Sequence, residues 1–131
     1  MKQINSVLLV EDNEITNFYN KHLFTKNGYV TDVQIATNGK KALDYLKGVD
    51  INSKPALILL DLNMPVMNGF EFLDEFEKLE EELREGIIIC ILTTSLHEED
   101  LEKAKDYAFI SQYCKKPLSA SQIKNILTAY F

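Results

Sequence analysis

Three carboxylates, a hydroxyl and an ammonium each stand just past an apolar run in this chain. Glu11 and Asp12 follow Val7-Leu8-Leu9-Val10, and Asp61 follows Leu57-Ile58-Leu59-Leu60. Thr93 follows Ile87-Ile88-Ile89-Cys90-Ile91-Leu92, and Lys116 closes the segment from Phe109 to Cys114. Singly, each has an ordinary reading. An acidic pair after a strand caps a helix, an aspartate ends a strand in a turn, Thr-Thr-Ser is a turn and cap, and a lone lysine is solvated. Brought to one place they do more. Three carboxylates repel one another and invite a divalent cation, and all-oxygen ligands with room for water favour Mg²⁺ or Mn²⁺ over zinc. A hydroxyl and an ammonium beside them form a receptor for a phosphoryl group. An aspartate there can itself be the nucleophile and become an acyl phosphate.

The elements that must position these groups follow from periodicity. Residues 4–10 read as a strand, apolar on both faces at Val7-Leu8-Leu9-Val10. Asn13 and Glu14 open a helix that carries Ile15, Phe18, Tyr19 and Leu23 at helical spacing and stops at Asn27-Gly28. On that pattern Tyr19 is a core residue, and His22 lies near the buried stripe. Val30 to Ala36 alternates as an edge strand, and a second helix runs from Asn38-Gly39 to Gly48. Gly48 to Pro55 is a surface loop before the Leu57–Leu60 strand. One long third helix is expected from Asn68-Gly69, with Phe72, Leu73, Phe76, Leu79 and Leu83 inward and the acidic run Glu77 to Glu85 outward. After the fourth strand, Ser95 with Glu98 fits a capping box for a helix to about Asp106. After the mixed fifth strand, Ser119 with Gln122 fits another, for a helix bearing Ile123, Ile126, Leu127 and Tyr130.

Alternating strands and helices predict an α/β fold, a doubly wound five-stranded parallel sheet. The first, third and fourth strands are apolar throughout and belong in the middle; the second and fifth are mixed and belong at the edges. With right-handed crossovers, the strand order 2-1-3-4-5 satisfies this. The crevice then lies beyond the carboxyl ends of strands one and three, where the chain reverses direction. Glu11, Asp12, Asp61, Thr93 and Lys116 all fall on that one sheet edge.

Composition narrows the classes. At 131 residues and 46% apolar content, the chain is one domain over residues 1–131 with enough core to fold without staples. A net charge of -6 argues against nucleic-acid binding. No apolar run reaches transmembrane length and the N-terminus lacks a signal-peptide layout, so a cytoplasmic protein is expected. Cys90 and Cys114 have neither metal nor redox spacing and read as buried reduced thiols.

From end to end the chain resembles the receiver domain of two-component response regulators. The matching residues are Glu11-Asp12, Asp61 within Asp-Leu-Asn-Met-Pro-Val-Met-Asn-Gly, Thr93, and Lys116-Pro117. The resemblance implies a (βα)5 flavodoxin-like receiver fold in which Asp61 is the phosphoacceptor for a sensor histidine kinase or histidine phosphotransfer protein. Asp12, Asp61 and the backbone carbonyl of Asn63 would ligate Mg²⁺, with Glu11 acting through bound water. Lys116 would pair with Asp61 and then with the phosphate, and Thr93 would hydrogen-bond a phosphate oxygen. Tyr113 would be the aromatic switch whose ring turns inward as Thr93 moves. Asn63 and Ser95 would tune dephosphorylation, and the Lys116-Pro117 bond would be cis.

A stand-alone switch is expected, monomeric or weakly dimeric. It would signal to a downstream protein through the face built by the fourth helix, fifth strand and fifth helix. Two alternatives compete. An Mg²⁺-dependent aspartyl-phosphate phosphatase wants a second aspartate two residues past the nucleophile, where this chain has Asn63, and a cap for which no segment is long enough. A receiver-like module that works without phosphorylation typically loses the acceptor, an acidic ligand or the lysine, and all are kept here.

Overall fold

In the computed structural model, which describes residues 3–64, 66–94 and 97–131, five strands alternate with helices. They are β1 (Ile4–Val10), β2 (Val30–Ala36), β3 (Leu57–Leu60), β4 (Ile88–Thr93) and β5 (Ile110–Lys115). The helices are α1 (Glu14–Lys26), α2 (Gly39–Gly48), α3 (Gly69–Glu77), α4 (Glu81–Arg84), α5 (Glu98–Ala104) and α6 (Ala120–Tyr130). All pairings are parallel and the strand order is β2-β1-β3-β4-β5, as the polarity of the strands predicts.

Successive residues of the central strands point to opposite faces. Leu8, Val10, Ile58, Leu60, Ile89 and Ile91 pack on one side with Leu43 and Leu46 of α2 and Phe72, Leu73 and Phe76 of α3. Val7, Leu9, Leu57, Leu59, Cys90 and Leu92 pack on the other with Phe24 of α1 and Ile123, Ile126 and Leu127 of α6. Both cysteines are buried free thiols. No helix among the described residues is long and apolar enough to cross a membrane.

Two expectations need correction. The first concerns α1. Ile15 is 80% exposed, Phe18 76% and Tyr19 44%, whereas the buried positions are Asn17, Asn20 and Phe24. His22 is exposed as well. The helix is rotated because its first turn must serve the polar end of β1: the Asn17 side-chain amide donates to the Glu11 carbonyl at 2.8 Å. Phe24, fully buried, then anchors the far end; such burial stabilises by about 2–3 kcal/mol.

The second is the long third helix, which breaks into α3 and α4. The backbone N–H of Lys78 donates back to Glu75 and Phe76 and the chain turns. Continuing the helix would stack Glu77 over Glu81, a like-charge pair. The break still lets Leu79 and Leu83 pack on the core. Lys54 Nζ closes α4 by donating to the carbonyls of Glu82 and Glu85 at 2.9 and 2.5 Å. The connection before β3 lies at the surface as expected, with a short 3-10 turn over Ile51–Ser53. The Ser119–Gln122 capping box forms as expected. The Ser95–Glu98 box lies outside the described residues.

Candidate functional site

The backbone at the carboxyl edge of the sheet is fastened just past the last ladder bonds, and this fixes where each side chain starts. The Glu11 N–H donates to Ala36 O and the Asp61 N–H to Val10 O, each at 3.0 Å. The Lys116 N–H donates to Thr93 O at 2.7 Å. The Lys116-Pro117 bond is cis. The groups that follow three separate apolar runs therefore leave the sheet side by side.

Glu11 and Asp61 are buried, 5% and 6% exposed, while Asp12 is open to solvent. One carboxylate oxygen from each of the three lies within 4.8 Å of the others. Lys116 bridges two of them: Nζ is 3.5 Å from Asp61 Oδ2 and closer still to Glu11 Oε1. Backbone donors orient the remaining oxygens, Asn13 N–H to Glu11 Oε2 at 3.1 Å and Asn63 N–H to Asp61 Oδ1 at 3.2 Å. Desolvation, and then the Glu11 carboxylate beside it, raise the Asp12 carboxyl above its ordinary range. Three hard oxygen donors against one ammonium leave a net negative hollow. That donor set suits a divalent cation of the Mg²⁺ or Mn²⁺ kind.

Thr93 is almost fully buried at the end of β4, paired in register with Lys115. Tyr113 lies two residues back along β5, opposite Ile91, half-buried against the α2–α3 side of the sheet. Asn63 is exposed in the loop after Asp61. Ser95 lies outside the described residues. In the same loop, Val66 holds φ at 69° with its side chain 76% exposed, a left-handed backbone that a β-branched residue rarely adopts. Gly69 explains how α3 can start so close to Asp61. A Cβ there would stand 2.7 Å from Leu62 Cα and 2.8 Å from Asp61 O, both backbone atoms.

The residues that periodicity misplaced border this site. Ile15 and Tyr19, with Leu92, Lys116, Pro117 and Leu118, line an apolar groove of about 500 Å³. Asn20, buried on the inward face of α1, also reaches it. The signal for this face was present in the sequence as asparagines at positions 17 and 20, between apolar residues that turn out to face solvent.

A family model described as the response regulator receiver domain matches residues 7–128. Among curated relatives, a probable methanogenesis regulatory protein of Methanothrix harundinacea is 34% identical over 120 residues, covering 90% of this chain and 76% of that protein. The nitrate/nitrite response regulator protein NarL of Escherichia coli is 38% identical over 99 residues, 76% of this chain but only 42% of that protein. Among solved structures, a two-component response regulator from Cytophaga hutchinsonii superposes with a TM-score of 0.88 at 32% identity. It covers 98% of this chain and 97% of that one.

Proposed function

This chain belongs to the response regulator receiver domain family, and from that premise we propose that Asp61 is its phosphoacceptor. The donor in this reading is a phosphohistidine of a sensor histidine kinase or phosphotransfer protein. A carboxylate oxygen of Asp61 forms the new P–O bond as the P–N bond to the imidazole breaks, and the imidazole leaves with the bonding pair. The observation that carries the reading is the placement of Asp61 between two further carboxylates within 4.8 Å and the Lys116 ammonium at 3.5 Å.

Asp12, Asp61 and the Asn63 carbonyl would hold Mg²⁺, with Glu11 acting through bound water; the ion, when bound, would offset the charge of the phosphoryl oxygens. Lys116 supplies a second positive charge, and Thr93, at the adjacent strand end, a hydroxyl for the phosphoryl group. Its inward shift makes room for Tyr113, and the surface of α5, β5 and α6 changes for a downstream protein. The exposed apolar face of α1, at Ile15, Phe18 and Tyr19, lies beside the groove that contains Lys116 and suits docking of the donor. Asn63 in place of a second carboxyl group disfavours a phosphatase, which needs a general acid there.

Intact-mass measurement after incubation with acetyl phosphate and Mg²⁺ tests this. One phosphoryl increment is expected in the native chain and none in Asp61→Asn. No increment in the native chain, or an undiminished one in the variant, would sink the proposal.

A further inference from the structure

The carboxamide oxygen of Asn20 is buried and accepts no hydrogen bond, although the residue is only 2% exposed. Buried acceptors are nearly always satisfied in folded proteins, by protein or by ordered water. Asn20 also walls a small cavity of about 10 Å³ that Glu11 and Asp61 of the acidic site line as well. Leu9, Val10, Leu59 and Leu92 form the apolar part of that wall, and Glu11, Asp61 and Asn20 the polar part. Space of this size suits one water molecule.

The chemistry of the wall selects the occupant. Asn20 Oδ1 lacks a donor, and the other polar residues of the wall, Glu11 and Asp61, carry acceptor side chains, so an occupant that donates hydrogen bonds suits the space. An anion is rejected by the carboxylates, and the Lys116 ammonium is already engaged by Glu11 and Asp61. Water donates two bonds and fits.

We propose that one buried water occupies this cavity, donating to Asn20 Oδ1 and to the Glu11–Asp61 carboxylate pair. Asn20 is thereby a positioning residue that sets the orientation of the acceptor carboxylate from α1. Its functional part rests on the reading of Asp61 as phosphoacceptor. The same helix then carries the apolar docking face outward and the water anchor inward, one residue apart at Tyr19 and Asn20.

The test compares the native chain with Asn20→Leu and Asn20→Ser. A crystal structure that resolves ordered solvent should show the water in the native chain and none in Asn20→Leu, whose apolar side chain offers it no acceptor. The maximal rate of labelling by acetyl phosphate at saturating Mg²⁺ should fall about tenfold in Asn20→Leu, the scale seen for lost outer-shell partners, with no loss of thermal stability. Asn20→Ser keeps an acceptor and leaves room for solvent, and should recover most of the rate. A dry cavity in the native chain overturns the proposal. So does native-rate labelling of Asn20→Leu, or a slowed Asn20→Leu accompanied by an equally slow Asn20→Ser. Should the native chain not be labelled at all, the phosphoacceptor reading fails, while the crystal structure still decides the water.

Discussion

Lys116 holds its ammonium closer to Glu11 than to Asp61, which stands 3.5 Å away. The extra methylene of a glutamate at the first acidic position lets that carboxylate reach across the site to the lysine. Asp61 is left with one oriented oxygen, held by the Asn63 N–H, and a looser ion pair at the other. A carboxylate that is only partly neutralised keeps nucleophilic character, as the proposed acceptor role requires.

The pair is nearly buried, with the Lys116 and Glu11 side chains 16% and 6% exposed. Lys116→Ala therefore leaves two neighbouring carboxylates without their cation. We predict a loss of about 3 kcal/mol in denaturant unfolding, partly restored by Mg²⁺. Labelling of Asp61 should persist in this variant, but the phosphorylation-dependent change at Tyr113 should vanish. An intact Tyr113 response, followed by NMR, would count against Lys116 as the coupling group.

The loop after Asp61 makes two predictions of opposite sign. Gly69→Ala drives a Cβ into the backbone of Leu62 and Asp61, so stability should fall by about 1–3 kcal/mol and labelling should slow with it. Val66→Asn relieves the left-handed strain at φ 69°, and should raise stability by about 1 kcal/mol. Thermal unfolding of the two variants gives the signs.

For α1, the prediction separates surface from core. Phe18→Ser should leave stability within about 0.5 kcal/mol, because the ring is 76% exposed. Phe24→Ala should cost about 3–5 kcal/mol. Acetyl phosphate should label Phe18→Ser at the native rate, while a protein phosphodonor should transfer to it more slowly. Equal transfer rates from the protein donor would remove α1 from the docking surface.

Burial, and then the nearby Cys114 thiol, push Cys90 from 9.0 up to about 12. Below pH 9.0 the thiol is protonated folded or unfolded, and its contribution to stability is fully present. As pH rises from 9.0 toward about 12 the unfolded chain ionises first, so stability declines through that window. Alkylation of Cys90 should accordingly track unfolding rather than solution pH. Rapid labelling of the folded chain at pH 8, below the ordinary thiol value of 9.0, would contradict its burial.

Much of this protein was determined by local pattern alone. Leu57–Leu60 and Ile87–Leu92 could only be strands covered on both faces, and their apolarity, set against the mixed β2 and β5, dictated the sheet order. That order in turn put Glu11, Asp12, Asp61, Thr93 and Lys116 at one edge, because each terminates a strand. Tertiary structure decided the rest. Ile15, Phe18 and Tyr19 have core spacing, yet the polar end of β1 needs Asn17 against the Glu11 carbonyl and so rotates the helix. Helical periodicity identifies a stripe and carries no information about which side the sheet requires. The partner of Lys116 was likewise beyond local pattern, since it depends on how far a glutamate reaches across three strands. The cavity under Asp61 arises only where α1 closes over the ends of β1, β3 and β4.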